Sequence, residues 1–111
     1  MIVTISGDPG SGKSLVISRL KENLSAPLIC VGQVMRDMAK DRGMSLLEFH
    51  KIAAKDLSMD KDIDDQAAYK ARELNKSESI VLVDGRTQFY FLPESLKLYI
   101  GVSPEIGAQR I

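Results

Sequence analysis

The chain has 111 residues, enough for one domain but short for an α/β domain with helices on both faces of its sheet. Its 15 basic and 15 acidic residues cancel, so no basic stripe points to nucleic acid and no polybasic block to an anionic membrane. The charged ligand that suits such a chain is small and held by a few placed side chains. Cys30 is the single cysteine; it rules out an internal disulfide, fits a reducing compartment, and reads as a buried small hydrophobe inside "APLICV".

Met1 leads straight into a strand-like run, with no basic region or long apolar core, so a cytoplasmic chain without signal peptide or membrane span is expected. Residues 2–6 are apolar and largely β-branched, and read as a buried strand ending at Gly7. Val16, Leu20 and Leu24 recur at helical spacing over 13–24, and Pro27 stops the pattern. "LICV" reads as a second strand. Met35, Met38 and Ala39 mark a helix that ends at Gly43, a residue suited to a left-handed C′ position. Ser45 with Glu48 matches a capping box opening a helix to about Lys55. "LSMDKD" reads as the most loop-like segment, and from Ile63 the positions Ala67, Ala71 and Leu74 share a helical face. "SIVLVDG" and "LKLYIGV" are further buried strands, and Pro104 begins one more helix. Alternating strands and helices predict an α/β fold with a mainly parallel sheet.

The stretch "GDPGSGKS" is a glycine, four residues, then Gly-Lys-Ser, placed between a strand and an amphipathic helix. Such a loop turns backbone N–H groups inward at a helix N-terminus, where the dipole favours anions. Lys13 would reach the β- and γ-phosphates of a nucleotide, and the Ser14 hydroxyl would ligate Mg2+. The nucleotide-binding set is Gly7, Asp8, Pro9, Gly10, Ser11, Gly12, Lys13, Ser14 and Leu15.

Arg36 follows the second strand and Arg86 the third. In a parallel sheet, ligands bind at the carboxyl ends of strands, so both arginines belong to the rim that carries the glycine loop. A guanidinium there can grip a second phosphate bidentately; a solvated surface arginine is the competing reading for each. Asp84 ends the third strand, where its carboxylate can hold Mg2+ or, alternatively, cap the turn at Gly85. Asp60 to Asp65 reads on its own as a solvated acidic run opening a helix. His50 reads as a surface or interfacial histidine, and Phe89 to Phe91 as core packing in preference to base stacking.

Taken together, "ISGDPGSGKS", "GQVMRDMAKDRGMSLLEF", "DKDIDDQ", "VDGR" and "LPESLKLYIGVSPEIGAQRI" run in order from Ile5 to Ile111 and resemble the cytidylate kinase branch of the nucleoside monophosphate kinases. The resemblance implies a three-layer P-loop NTPase fold, ATP and Mg2+ as cofactors, and a small nucleotide as partner. It assigns Arg36 and Arg86 to the acceptor phosphate, brings Gly85 with them, and sets Asp60 and Asp64 near the acceptor base. Catalysis would rest on Lys13 and Arg86, with Ser14 and Asp84 at the metal. The family continues beyond Ile111 with an arginine-bearing lid, a helix and a last strand. Gly107 stands where many relatives carry arginine, and Arg110 is the basic residue nearest the expected hinge. Residues 1–111 therefore read as one partial kinase core, its last strand and lid missing and its fourth strand left as an edge. CMP or dCMP is the expected acceptor. A P-loop kinase of another small metabolite, such as shikimate, and a nucleotide-binding module without turnover are the alternatives; the oligomeric state is open.

Overall fold

The β-branched run after Met1 forms β1 (Ile2–Gly7), and the sheet is built around it. The computed structural model describes residues 1–8 and 10–101, apart from the side chains of Leu57 and Asp60. Pro9, the expected helix from Pro104, Gly107 and Arg110 lie outside the described residues. In chain order β1 is followed by α1 (Lys13–Leu24), β2 (Leu28–Cys30), α2 (Val31–Asp41), α3 (Leu46–Ala53), α4 (Leu57–Asn75), β3 (Val81–Asp84), α5 (Gln88–Phe91) and β4 (Leu96–Ile100).

The strand order is β2-β3-β1-β4, and every pairing among them is parallel. From β1 the chain crosses to β2 on one side, and from β3 it crosses to β4 on the other. The carboxyl ends of β1 and β3 therefore flank the point where the winding reverses, which is where open α/β sheets place ligands. The register sets Asp84 beside Ile5 on one side and Cys30 on the other. β4 is an edge of the described sheet, as expected for a core without a further strand, but it is not the buried strand that its apolar run suggests: Leu96, Leu98 and Tyr99 are exposed.

Alternation along the strands produces two apolar layers. Val3, Ile5 and Leu82 pack with Ile17 of α1 on one face. Ile2, Val81, Val83 and Ile29 pack on the other with Phe49 of α3 and with Met59, Ile63, Ala67 and Ala71 of α4. Thr4, also buried, meets Ser95 through a hydroxyl pair at 3.0 Å, and Ser95 donates to the Leu92 carbonyl at 2.7 Å. A polar residue in the middle of β1 is thus satisfied by the segment that leads into β4. Arg72 of α4 ties down the same segment, donating to both carboxylate oxygens of Glu94 at 2.7 and 3.3 Å and to the Phe91 carbonyl at 3.1 Å.

The helix ends follow local chemistry. Ser45 accepts the Glu48 N–H at 3.2 Å, as the capping box requires. Gly43, at φ +68°, closes α2: its N–H reaches the Lys40 carbonyl and that of Met44 the Ala39 carbonyl, the paired bonds of a Schellman end. Val31 leaves the expected second strand and begins α2. The larger departure is "LSMDKD", expected as a loop and helical in the structure. Asp56 caps it, accepting from the Ser58 N–H at 3.0 Å and hydroxyl at 2.6 Å. Met59 and Ile63, four apart and both buried, extend the apolar face of Ala67 and Ala71 backward by two turns.

The aromatic run is corrected too. Only Phe91 packs against the core; Phe89 and Tyr90 are exposed, and Gln88 is the fully buried residue of α5. Cys30, expected to be buried, is half-buried.

Gly7 ends β1 against the last residue of β4. A Cβ there would lie 2.8 Å from the Ile100 carbonyl oxygen and 3.1 Å from Ser11 Oγ. The first contact is backbone and cannot yield without parting the strands, so Gly7→Ala is expected to lower stability by about 1–3 kcal/mol, read as a shift in the urea midpoint.

The Asp56 carboxyl is lowered from its ordinary 3.8, chiefly by the Ser58 hydroxyl and then by the Ser58 N–H. A depressed carboxyl stabilises the fold above its unfolded value and loses that contribution as pH falls through the folded one. The urea-midpoint gap between the wild type and Asp56→Ala should therefore be constant above about pH 5 and shrink as the pH falls below 3.8.

Candidate active site

The turn after β1 leads into a helix start that has no side-chain cap. Gly12, at φ +80°, is the N-cap of α1 and has no side chain to offer its first turn, which also lacks acidic residues. The N-terminal N–H groups of α1 therefore have no side-chain acceptor on the helix itself, and the dipole is uncompensated there. Asp8 donates its N–H to the Ile100 carbonyl at 3.0 Å and accepts the Ser11 N–H on its own carbonyl at 3.1 Å.

A cavity of about 600 Å³ opens over this turn. Gly7, Asp8, Gly10, Ser11, Gly12, Lys13 and Ser14 line it, together with Arg86 and Tyr99. Leu15 is exposed and lies outside that lining. The Ser11 hydroxyl is buried in the cavity wall and has no hydrogen-bond partner among the described residues. An orphaned hydroxyl beside an uncapped helix start fits a phosphate oxygen, which would satisfy both. Tyr99 donates its phenol proton to the Asp8 carboxylate. That hydrogen bond, then burial, raises the phenol above its ordinary value by favouring the neutral ring.

A second cavity, of about 700 Å³, lies across the ends of β2 and β3. Its apolar wall is Val31, Met35 and Ile63, and its polar groups are Asp64, Asp84, Arg86, Thr87, His50 and Lys13, with Gly85 and Cys30 at the strand ends. Lys13 and Arg86 line both cavities, so the two spaces meet at a pair of cations. Lys13 Nζ lies 2.9 Å from Asp84 Oδ1, each side chain about a quarter exposed at 27% and 23%. The sequence-predicted Lys13, Asp84, Gly85 and Arg86 thus converge.

Asp64 belongs to the same wall. Its carboxylate accepts from Gln88 Nε2 at 2.8 Å and from the Thr87 hydroxyl at 3.2 Å. Gln88 is fully buried, and its own Oε1 has no hydrogen-bond partner among the described residues. The carboxylate is therefore fixed in direction by the segment that follows Arg86.

Arg36 stands apart. It is exposed on α2, outside the lining of both cavities, and donates to Gln33 Oε1 at 3.3 Å. His50 goes the other way: exposed, as expected of a surface histidine, it nevertheless lines the second cavity. Thr87 was also missed. Its only signal was its place one residue after Arg86, on the segment that turns back under Asp64.

The donor set suits a magnesium ion bound chiefly through phosphate. Among the described residues no group of three or more His, Cys, Asp or Glu could hold a metal by itself. Magnesium characteristically takes one or two protein oxygens and completes its shell with phosphate and water, a role open to Ser14 and Asp84.

A search of protein-family models matches residues 6–97 to the family described as "AAA domain". Among curated proteins, the chain is 37% identical over its full length to a cytidylate kinase of Methanobrevibacter smithii, covering 62% of that protein. It is 38% identical to one from Methanococcoides burtonii, covering 61%, and 35% identical to one from Halobacterium salinarum, covering 57%. The chain thus spans about three fifths of the length of the curated relatives it matches. A shikimate kinase structure from Aquifex aeolicus superposes on all of the chain at TM-score 0.69 and 19% identity, with 66% of that structure covered. A shikimate kinase from Acinetobacter baumannii superposes on 98% of it at TM-score 0.64 and 17% identity, with 60% covered. These solved structures bear out the expected α/β fold with a mainly parallel sheet. With the glycine loop, its following helix and most of the sheet inside the matched span, the chain belongs to the AAA domain family.

Proposed function

We propose that residues 1–111 form one P-loop kinase core that transfers the γ-phosphoryl group of ATP to a nucleoside monophosphate, CMP or dCMP first among them. The observation that carries this reading is the sharing of Lys13 and Arg86 between two adjoining cavities. Phosphoryl transfer between two anions needs that arrangement: one pocket for each phosphate chain, and fixed positive charge at the point where they meet. The resemblance to cytidylate kinases over the whole chain supports the choice of acceptor.

In this reading the loop from Gly7 to Ser14 cradles the donor phosphates, with Ser11 Oγ and the α1 N-terminus as donors and Leu15 at its margin. Lys13 exchanges its Asp84 partner for the donor's terminal phosphates. Arg86, reaching both cavities, holds the acceptor phosphate in line with the breaking P–O bond, leaving ADP as the departing group. Magnesium, where bound by Ser14 and Asp84, supplies charge neutralisation on the transferring group. The apolar wall of Val31, Met35 and Ile63 suits the faces of a flat base, and the oriented Asp64 carboxylate accepts an N–H from its edge. Gly85 lets the chain turn between Asp84 and Arg86 without crowding this wall. Arg36 adds a second grip on the acceptor once α2 turns it from Gln33 towards the cavity. Among the described residues no helix is long and apolar enough to cross a membrane, and the half-buried thiol of Cys30 suits the reducing cytoplasm.

An ADP-release assay with a panel of acceptors tests this. CMP should stimulate release above UMP, AMP and shikimate, and Lys13→Ala should cut the CMP-dependent rate at least about a hundredfold. Release stimulated by shikimate alone, or a Lys13→Ala variant that keeps its rate, would overturn the reading.

A further inference from the structure

His50 is the single histidine of the chain, and it takes no part in the steps described above. It lies on α3, one residue after the fully buried Phe49 and three before Ala53, which is buried as well. Phe49 fixes how the helix is turned. Residues three apart share a side of a helix, so His50 flanks the buried stripe instead of opposing it. α3 packs on α2 and α4, the helices that supply Val31, Met35 and Ile63 to the apolar wall of the second cavity. The ring therefore joins that cavity from the helical side, exposed at its rim, whereas Lys13, Asp84 and Arg86 stand on the side of the strand ends.

The polar side chains of the cavity leave the ring a task. A base lying against the apolar wall is read through hydrogen bonds to its edge, and that edge carries acceptors as well as donors. An ionised Asp64 can only accept. The Thr87 hydroxyl spends its proton on Asp64 at 3.2 Å, and Cys30 offers only a weak thiol donor. Lys13 and Arg86 stand where the two cavities meet, the place that suits phosphate. Among the described residues no hydrogen bond or ion pair engages the His50 ring, and imidazole has an N–H to give in either protonation state.

We infer that His50 is a specificity-determining residue of the acceptor site, whose ring N–H donates to an acceptor atom on the edge of the base. This rests on the acceptor-cavity reading above and adds to it the donor that the base edge needs. Asp64 and His50 together then ask for an amino group beside a ring acceptor. Cytosine presents that order at its amino group and N3, whereas uracil reverses it with O4 and an N3–H.

Calorimetric titration of the 111-residue chain with CMP and with UMP tests this without requiring turnover. CMP should bind the wild type and bind Arg86→Ala far more weakly; no CMP binding, or binding indifferent to Arg86, overturns the acceptor-cavity reading and this inference with it. Given Arg86-dependent binding, His50→Ala should keep the wild-type urea midpoint and bind CMP about fivefold more weakly, the effect of one hydrogen bond. Its preference for CMP over UMP should fall by a similar factor. Because the chain has one histidine, its imidazole nitrogens give a single set of NMR signals. Those signals should move on adding CMP and stay in place on adding ribose 5-phosphate, which has no base. Unchanged CMP affinity in His50→Ala would overturn the inference, as would a loss shared equally by UMP. So would imidazole signals that CMP leaves unmoved, or that ribose 5-phosphate moves as far.

Discussion

One ion pair joins the two halves of the winding. Lys13 is the first residue of α1, and Asp84 is the last of β3; their 2.9 Å contact bridges the point where the sheet changes direction. Neither group is deeply buried, so the pair adds little to folding by itself and the packed layers on either face carry that load. Its importance lies in where it stands: Lys13 and Asp84 both line the cavity across the ends of β2 and β3, and Lys13 lines the cavity over the glycine loop as well.

The fold was legible to the extent that periodicity and punctuation were. Alternating apolar runs located all four strands, and the capping box at Ser45 and the left-handed position at Gly43 fixed two helix ends to within a residue. The first turns of α4 were misread because "LSMDKD" is rich in charge and carries only Met59 of its apolar face before Ile63. Asp56, with a serine two residues on, was the available signal for a helix start. The aromatic triplet misled in the opposite sense. Hydrophobicity argued for burial, but α5 is a single turn, and its inward position went to Gln88, whose amide reaches Asp64.

The phosphate loop was readable because its chemistry lies in one contiguous stretch, and Asp84 and Arg86 because strand ends in a parallel sheet are predictable places. The second cavity was less so. It draws residues from six separate elements and the segment after β3, and membership depends on how each element is turned as much as on residue type. Gly32 and Arg36, four apart, share a side of α2, yet the glycine lines the cavity while the arginine guanidinium bonds to Gln33 instead. His50 joins from α3. No spacing rule reports how one helix is turned relative to another two elements away.

The small residues of α4 have a further effect. Ala67, Ala68 and Ala71 are almost wholly enclosed, and with only a methyl group each they let the helix axis settle close to the strands. Asp64 rides on the same rigid rod one turn earlier, so the thickness of three alanines fixes how far its carboxylate stands from β3. The aperture available to an incoming ring is in this sense gauged from behind, by residues that no ligand touches. A wider slot for a bulkier acceptor could be opened by enlarging that spacer while leaving every cavity-lining side chain as it is.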